Sequence, residues 1–361
     1  MKAAILHAPG EPLTIEEVAV DSPGPREVLI RTAACGVCRS DLHFIDGKYP
    51  HPLPVVPGHE AAGIVEAVGS DIFSIRPGDH VVTCLSAYCG RCEFCVTGRI
   101  ALCTDPSTRR APEAPPRYTI DGAPVHQLLN VSGYAEQMLV HENAAVAIHP
   151  DMPLDRAALL GCAVVTGAGA VFNSANVRPG EHVAVVGCGG IGLAAINAAK
   201  IAGAARIVAI DPVAEKRDLA LTLGATDAFD PASEDLAKQV VALTGGGVHH
   251  AIEAVGRIET GQLCVALLRR GGTATMLGMM PLDGQRIGLN AMELLSEKKV
   301  QGALMGSNRF PLDIPRLVDF YMAGKLDLET IIAERIALDR INEAMDALRQ
   351  GDSVRSVVVF E

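Results

Sequence analysis

Residues 183–192 read VAVVGCGGIG, a continuous apolar run that ends in a glycine-rich turn. Residues 187–192 fit the G-x-G-x-x-G pattern, in which a strand passes through a tight turn into a helix. Glycines there let a pyrophosphate approach the helix N-terminus, where free N–H groups and the helix dipole favour anions. The motif predicts a dinucleotide-binding turn, with an ordinary glycine-rich turn as the alternative. The predicted contacts are Gly187, Gly189, Gly190, Ile191 and Gly192.

An acidic residue follows this turn at the expected distance. Asp211 comes directly after the next apolar run, RIVAI at 206–210, and lies nineteen residues after Gly192. A carboxylate in that position accepts hydrogen bonds from the adenosine ribose hydroxyls and repels a 2′-phosphate. The sequence therefore favours NAD(H) over NADP(H) as cofactor.

Strand-like and helix-like segments alternate on both sides of this motif. The pattern predicts a doubly wound parallel sheet covered by helices on both faces, an α/β Rossmann domain. The predicted strands are 183–187, 206–210, 227–229, 250–255, 273–277 and 300–304, and the predicted helices are 191–202, 214–223, 233–243 and 259–268.

The first 160 residues have a different texture, with short β-branched runs separated by Pro-Gly pairs. This pattern favours antiparallel β-structure. Two helices at 315–323 and 341–350 and a strand at 356–360 fall outside the six Rossmann strands, so we expect them to return to the first domain. The predicted domains are 1–163 with 305–361, and 164–304. We expect an exposed loop at 108–123, which contains Pro112, Pro115, Pro116 and Gly122.

Composition narrows the class of protein. The net charge is −11, which opposes a general nucleic-acid binder or a polybasic membrane binder. No stretch approaches the roughly 18 uninterrupted apolar residues of a spanning helix, and the N-terminal apolar run is too short for a signal peptide. We therefore expect a cytoplasmic protein with no membrane or nucleic-acid partner. Seven of the ten cysteines cluster between Cys35 and Cys103, which indicates metal binding or catalysis more than disulfides.

Four of those cysteines are closely spaced. Cys89, Cys92, Cys95 and Cys103 place four thiols within fifteen residues. Zinc at structural sites prefers four sulfur ligands in a tetrahedron, and such a site is closed to substrate. The spacing predicts a structural zinc lobe at about 84–104, and four free cysteines in a flexible loop are the alternative.

A second metal site is indicated by three residues from three segments. Cys38 lies in CGVCRSDLH, His59 in PGHEAAG and Cys162 in LLGCAVVTG. Three such ligands leave a fourth position open for substrate or water, as catalytic zinc sites do. Taken singly, each could equally be a small buried cysteine or a hydrogen-bonded histidine.

With these motifs in place, the sequence resembles the zinc-containing medium-chain alcohol dehydrogenases along nearly its whole length. The resemblance rests on CRSDLH, GHEAAGIVEAVG, CGRCEFC, GCAVVTG, VGCGGIGLAAI and the C-terminal INEAMDALRQGDSVRSVVVF, in the family's order. It implies a GroES-like antiparallel β catalytic domain beside the Rossmann domain. It also implies two Zn²⁺ per subunit, with the catalytic ion held by Cys38, His59 and Cys162.

The resemblance also implies roles for single residues. Asp41 would orient the His59 imidazole, and Glu60 would approach the metal during ligand exchange. Ser40 would accept the alcohol proton, and His43 would pass it through the nicotinamide ribose hydroxyl to solvent. The implied cofactor contacts are Arg39 and Arg355 at the pyrophosphate, Lys216 at the adenosine ribose, and Thr166 with the Leu277–Met279 backbone at the nicotinamide. The implied pocket residues are Tyr49, Leu85 and Met279.

Simpler roles remain for several of these residues. Ser40 and Asp41 could cap a helix that begins near Leu42, since both residue types are good N-caps. Arg355 could be a surface charge, and Lys216 could lie on a solvated helix face. The remaining cysteines are expected to be small packing residues: Cys35, Cys84, Cys188 and Cys264.

The resemblance predicts oxidation of an aliphatic or aromatic primary alcohol, or a secondary alcohol, with hydride transfer to NAD. The long 103–162 span is similar to that of the dimeric branch, so we expect a homodimer, with a tetramer as the alternative. We call Cys89, Cys92, Cys95 and Cys103 the knot cysteines. The formaldehyde-type branch, which oxidises thiol adducts, uses an arginine soon after the fourth of them. In this chain TDPST (residues 104–108) follows Cys103, and the first arginine after that cysteine is Arg109. This spacing weakens the interpretation as a thiol-adduct dehydrogenase. Two interpretations without dehydrogenase activity also remain: a catalytically silent nucleotide-binding protein and a zinc-knot nucleic-acid module.

Overall fold

The chain forms two units in the computed structural model, which describes residues 1–361 apart from Pro112, Pro281 and residues 352–354. The first unit comprises Met1–Ala163, Arg309–Ala323 and Ile332–Glu361, and the second comprises Val164–Asn308 and Gly324–Ile331. All ten cysteines are free thiols.

The second unit is built on six parallel strands. In chain order these are β12 (His182–Val186), β13 (Arg206–Ile210), β14 (Asp227–Phe229), β15 (Val248–Glu253), β16 (Leu268–Met276) and β17 (Lys299–Gly302). They lie in the order β14-β13-β12-β15-β16-β17, and every neighbouring pair is parallel. This is the strand order of the dinucleotide-binding Rossmann fold, so the predicted doubly wound parallel sheet is confirmed.

Helices link these strands. They are α5 (Gly190–Ile201), α6 (Ala214–Leu223), α7 (Leu236–Leu243), α8 (Ile258–Leu267) and α9 (Ala291–Leu295). The neighbouring strands β12 and β13 are apolar after their first residue, as expected where helices cover both faces of a sheet. In β12 and β13, for example, Val183, Val185 and Val208 are fully buried.

The first unit is rich in β-structure. Its strands are β1 (Lys2–Ile5), β2 (Thr14–Glu17), β3 (Ala19–Val20), β4 (Glu27–Gly36), β5 (Val55–Val56), β6 (Ala61–Val68), β7 (His80–Thr83), β8 (Tyr118–Ile120), β9 (Ala123–Gln127), β10 (Gln137–His141), β11 (Ala145–Ala147), β18 (Glu334–Ile336) and β19 (Ser356–Val359). Its helices are α1 (Arg39–Ile45), α2 (Glu93–Val96), α3 (Leu154–Ala158), α10 (Phe310–Met322) and α11 (Ile341–Gln350). The helix α4 (Ala163–Gly169) crosses the boundary between the two ranges and continues into a π-helix at Ala170–Ala175.

A seven-stranded sheet forms the centre of this unit. Its order is β11-β7-β6-β4-β19-β18, and β10 also pairs with β4. The pairings are antiparallel except for β18 with β19. The long strand β4 carries the buried Val28, Ile30 and Cys35 into the core and ends just before Cys38. The predicted antiparallel β core is confirmed.

The exposed loop predicted at 108–123 is confirmed only in part, because residues 118–120 form the strand β8. Tyr118 is fully buried, and β8 pairs antiparallel with β9 in a tight hairpin. The three-residue strand is too short for an alternating pattern to show in the sequence. A hydrogen bond ties this hairpin to β10, because the Tyr118 hydroxyl accepts the Leu139 N–H at 2.9 Å. Pro112, which belongs to the same predicted loop, lies outside the described residues.

The segment 305–331 also departs from prediction. The helix predicted from residue 315 begins at Phe310, because the Asp313 carboxylate accepts a hydrogen bond from the Arg309 N–H at 2.7 Å and closes the first turn. Residues 305–308 and 324–331 are predicted with the first domain but group with the second unit. The segment 324–331 contacts α5 of that unit through a hydrogen bond from the Asp327 N–H to the Asn197 side chain at 3.0 Å.

Among the described residues, no single helix is long and apolar enough to cross a membrane. One bent pair, Leu154–Gly161 with Ala163–Ala175, would meet the length and composition requirement. Its apolar side chains, such as Leu159, Leu160 and Val164, are buried inside the protein.

Candidate metal and cofactor sites

Cys38, His59 and Cys162 come together in the first unit. Cys38 is the residue before α1, His59 precedes β6, and Cys162 precedes α4. Their ligand atoms all lie within 4.8 Å of one another, and all three side chains are buried. His59 Nε2 lies 3.1 Å from the Cys162 sulfur. Two sulfurs and one imidazole nitrogen converging in this way form a donor set that suits zinc.

The His59 ring is held in one orientation by Asp41. Asp41 Oδ1 lies 2.9 Å from His59 Nδ1 and also accepts the Gly58 N–H at 3.0 Å. The Tyr134 hydroxyl donates to Asp41 Oδ2 at 3.0 Å. A carboxylate at Nδ1 favours a proton on that nitrogen, so the Nε2 lone pair points towards the two sulfurs.

A hydrogen bond joins the side chains of Cys38 and Cys162. The Cys162 thiol donates a hydrogen bond that holds the pKa of Cys38 well below its usual range, and the charges of Arg355 and His59 act in the same direction. The same hydrogen bond raises the pKa of Cys162 well above its usual range. A metal requires both sulfurs as thiolates, so metal binding at this site would release the proton of the Cys162 thiol.

Glu60 and Arg355 form a buried pair beside these ligands. Arg355 Nη2 lies 3.3 Å from Glu60 Oε2, and Arg355 Nη1 donates to the Val37 carbonyl at 2.9 Å. Burial raises the pKa of Glu60 to about 8, although the charge of Arg355 opposes this shift. Arg355 is therefore not a surface charge: it lies in the interior, close to the metal ligands.

The residues predicted for proton transfer, Ser40 and His43, lie on α1, which begins at Arg39. Ser40 and Asp41 are thus inside the helix and not its caps, because Cys38 is the N-cap residue. His43 is half-buried, and its Nδ1 has no hydrogen-bond partner among the described residues. Burial, and then the charges of Lys48 and Arg39, lower the pKa of His43. An unpartnered buried nitrogen is the kind of atom that a polar ligand would satisfy.

Three further predicted residues lie around α1 and the strand β7. The Tyr49 ring is 6.0 Å from the His43 ring, centroid to centroid. Leu85 is half-buried two residues after β7. The Arg39 guanidinium donates to the Leu348 carbonyl at 2.6 Å, near the end of α11.

The four knot cysteines also converge. The sulfur–sulfur separations are 3.4 Å for Cys92 and Cys95, 3.8 Å for Cys89 and Cys95, and 3.8 Å for Cys92 and Cys103. A zinc tetrahedron with Zn–S bonds of about 2.3 Å has edges of about 3.8 Å, so the spacing suits a bound ion. Disulfide bonds would need sulfurs about 2.05 Å apart. Backbone N–H groups, that of Arg91 first, lower the pKa of Cys89 to about 7, which favours its thiolate.

In the second unit the glycine-rich turn links β12 to α5. Gly187 has a φ of 95°, and a side chain at Gly192 would collide with the Gly187 carbonyl. At Gly189 a Cβ would meet no atom within 4 Å, so the turn leaves open space on that side. Gly190 and Ile191 open the first turn of α5. The result is a cradle that a phosphate could enter.

Asp211 follows β13 beside this turn and is buried. Its Oδ2 accepts the Cys188 N–H at 2.8 Å, and its Oδ1 accepts the Val213 N–H at 2.9 Å. The carboxylate is therefore fixed next to the glycines. Lys216 lies in the first turn of α6, which begins three residues after Asp211.

The residues predicted to flank the nicotinamide also belong to the second unit. The Thr166 hydroxyl contacts the Met305 sulfur at 3.5 Å. Leu277 and Met279 lie in the turn after β16, and the Leu277 N–H donates to the Glu253 carbonyl at 2.9 Å. The remaining cysteines are fully buried, as packing residues would be: Cys35, Cys84, Cys188 and Cys264.

Two residues of these sites are not predicted from the sequence. Tyr134 supports Asp41 from 93 residues away, and no local pattern marks such a contact. Glu253 is a fully buried carboxylate at the end of β15. A single acidic residue in the apolar run HAIEAV is the signal that could have found it.

Comparison with known sequences agrees with this geometry. Residues 24–151 match the alcohol dehydrogenase GroES-like domain, and residues 190–322 match the zinc-binding dehydrogenase family. The chain therefore belongs to the zinc-containing medium-chain alcohol dehydrogenase family. It is an oxidoreductase of the zinc-dependent class, with a Rossmann fold for a nucleotide cofactor.

Individual relatives cover the whole chain. An S-(hydroxymethyl)glutathione dehydrogenase of Escherichia coli is 36% identical over 99% of both chains. The crystal structure of benzyl alcohol dehydrogenase from Acinetobacter calcoaceticus is 32% identical, with a TM-score of 0.94 and coverage of 100% of this chain and 99% of that one. A Sinorhizobium meliloti protein described as a zinc-binding dehydrogenase and bound to NADP is 29% identical, with a TM-score of 0.84 and coverage of 99% of each chain.

Proposed function

We propose that this protein is a NAD(H)-linked alcohol dehydrogenase that interconverts a primary alcohol, aliphatic or aromatic, and its aldehyde, or a secondary alcohol and its ketone. The observation that carries the proposal is the buried Cys38, His59 and Cys162 cluster, with His59 oriented by Asp41. Three protein ligands leave one position for a substrate oxygen. A closed structural site, such as the four-cysteine lobe, would leave no position for a substrate oxygen.

The chain's own groups would perform the acid–base part of the reaction. Bound zinc would supply a Lewis acid, and bound nicotinamide would supply a hydride acceptor. Ser40 and His43 lie three residues apart on α1 and therefore on one side of the helix. Ser40 Oγ takes the alcohol proton while giving up its own hydroxyl proton towards His43. His43 accepts a proton at its buried Nδ1, and the ring then releases a proton to solvent. The lowered pKa of His43 keeps its ring neutral at neutral pH, ready to accept.

Asp211 supports NAD(H) as the natural cofactor. Its carboxylate is fixed by two backbone N–H groups and could accept hydrogen bonds from ribose hydroxyls. A 2′-phosphate in the same place would meet a buried negative charge. We propose that the pyrophosphate contacts the 187–192 turn, and that Lys216 adds to the ribose site. The pyrophosphate roles of Arg39 and Arg355 stay predictions.

Oxidation of a thiol adduct is the second candidate. The Escherichia coli relative named above supports it, and Arg109 follows the knot as an exposed cation. The similarity to benzyl alcohol dehydrogenase, together with the Tyr49 ring near His43, supports an uncharged aromatic or aliphatic alcohol instead. We therefore place the alcohol first.

A substrate panel separates the two. NAD⁺ reduction at 340 nm would be measured with benzyl alcohol, short primary and secondary alcohols, a polyol, and formaldehyde with glutathione. We expect benzyl alcohol or a primary alcohol to give the highest kcat/KM. Turnover only with formaldehyde and glutathione would show that the substrate is a thiol adduct and not a simple alcohol.

Cofactor choice is tested in the same assay. Wild type should prefer NAD⁺ to NADP⁺, and Asp211→Ala should narrow that preference because the repelling charge is gone. A freshly purified protein that already absorbs as NADH would indicate a tightly held cofactor. Nucleotide binding without turnover on any substrate would favour a catalytically silent nucleotide-binding protein.

A further inference from the structure

Glu253 holds a buried negative charge at the carboxyl end of β15. Its Oε1 accepts the Val255 N–H at 3.0 Å, the Gly256 N–H at 2.8 Å and the Thr260 hydroxyl at 2.6 Å. Its Oε2 accepts the Gly278 N–H at 3.2 Å. Every one of these partners is a donor, which is the environment of an ionised carboxylate.

Among the residues that the structure describes, no cationic side chain balances this charge. Within that part of the chain, Glu253 makes no ion pair with lysine, arginine or histidine, although its side chain is fully buried. The nearby N-terminus of α8 supplies only the partial positive charge of a helix end. Buried charges are ordinarily paired or bound to a metal, so an unpaired one calls for a partner.

The position of Glu253 indicates what the partner is. In an open parallel sheet, ligands bind outside the carboxyl ends of the strands. Glu253 accepts hydrogen bonds from Leu277 N–H and Gly278 N–H, and these bonds link the turn after β15 to the turn after β16. The first of these turns also packs against the glycine-rich loop, because a Cβ at Gly187 would strike the Val255 side chain.

We propose that Glu253 is a positioning residue whose charge favours the oxidised, cationic nicotinamide ring over the reduced, neutral ring. The proposal rests on the proposed function, in which the Leu277–Met279 backbone lies beside the nicotinamide. The hydrogen bonds set the backbone of that turn, and the charge offsets the positive charge of the ring. Because the carboxylate is desolvated, its field is poorly screened by salt or water.

Two substitutions separate charge from packing. Glu253→Gln keeps the size of the side chain and removes the charge, whereas Glu253→Asp keeps the charge and retracts it. A second variant, Val255→Lys, offsets the negative charge of Glu253 by adding a cation two residues away. Val255 is partly exposed, so this change leaves the buried Glu253 side chain in place. Val255→Lys also serves as the test if Glu253→Gln does not fold.

The measurement is the pair of dissociation constants for NADH and NAD⁺. NADH binding is read from its own fluorescence, which is convenient because the chain has no tryptophan, and NAD⁺ binding is read by competition. We expect Glu253→Gln and Val255→Lys to raise the NAD⁺/NADH ratio of dissociation constants about tenfold. Glu253→Asp should leave the ratio within about threefold of wild type even if both affinities fall.

A purely structural role would weaken both nucleotides in parallel, and an unchanged ratio in the neutralised variants would overturn the proposal. That outcome would leave the proposed function standing. Wild-type protein that binds neither nucleotide would overturn the proposed function itself, and the proposal with it.

Discussion

The Asp41 carboxylate forms hydrogen bonds with three groups, and one of these bonds decides which nitrogen of His59 is available to a metal. One oxygen serves His59 Nδ1 and the Gly58 N–H, and the other accepts from Tyr134. All of these groups are buried, so water cannot replace any of them. The carboxylate thus acts on the metal through the imidazole.

We predict that Asp41→Asn weakens zinc binding at the Cys38, His59 and Cys162 site by about 10- to 100-fold, because the ring loses its orienting carboxylate. Competition with a chelator of known affinity measures this directly. Tyr134→Phe is the matched control, since it removes one donor and keeps the charge, and its effect should be smaller. Equal zinc affinity in Asp41→Asn and wild type would show that Asp41 has no such role.

At this scale, residue type and spacing reveal the four knot cysteines, while resemblance to a family is needed for Asp41 and Ser40. The spacing signal works for the knot because its ligands lie within fifteen residues. It fails for Tyr134, whose partner is 93 residues away. It fails also for the hydrogen bond between Cys38 and Cys162, which lie 124 residues apart in the sequence.

At the scale of elements, an ion cluster anchors the segment that precedes and includes β8. Arg110 Nη2 lies 2.6 Å from Glu27 Oε2, and Arg117 Nε lies 2.8 Å from Glu27 Oε1. Arg110 also pairs with Asp21 at 2.5 Å. Burial would raise the pKa of Glu27, but the hydrogen bond from Arg110 and the charge of Arg117 outweigh it and lower the value to about 2.

We predict that Glu27→Gln lowers the free energy of unfolding by about 3 kcal/mol, because two largely buried guanidinium groups lose their carboxylate. Since the folded pKa of Glu27 is depressed, its contribution is full above about pH 4.5 and is lost as the pH falls towards 2. The difference between wild type and variant should therefore shrink over that window. Urea unfolding at several pH values measures it.

The matched control for this prediction is Arg26→Gln. It breaks the more exposed Arg26–Glu142 pair, whose atoms are 2.6 Å apart, and should cost no more than about 1 kcal/mol. Equal effects of the two substitutions would show that the cluster around Glu27 does not anchor the segment.

Elements that carry a local signal are predictable from the sequence even when they are short, such as the three-residue strand 227–229. The strand 206–210 and the helices 214–223 and 341–350 have the same bounds in the sequence-based prediction and the structure. Each has a clear apolar period or a glycine at its end. The strand β8 has three residues and depends on contacts with Glu27 and Leu139 from other segments, so its surroundings and not its sequence create it.

At the scale of the whole molecule, we predict a homodimer. The long 103–162 span supports this, and so do exposed apolar side chains on the edge strand β17 and on α9, among them Val300, Met292 and Leu295. Light scattering should give twice the subunit mass of 37.8 kDa. Val300→Asp should shift the protein to monomer, whereas the same change at the exposed Phe73 should not. A monomeric wild type would contradict this prediction.

The proposed activity depends on a second zinc ion, bound at Cys38, His59 and Cys162 and needed for alcohol oxidation. Zinc content and NAD⁺ reduction would be measured together on wild type, Cys162→Ser and the buried control Cys264→Ser. Wild type and the control should hold two ions per subunit and turn over alcohol. Cys162→Ser should hold one ion and be inactive. One ion in wild type, unchanged in Cys162→Ser, would show that no catalytic zinc binds at these three residues.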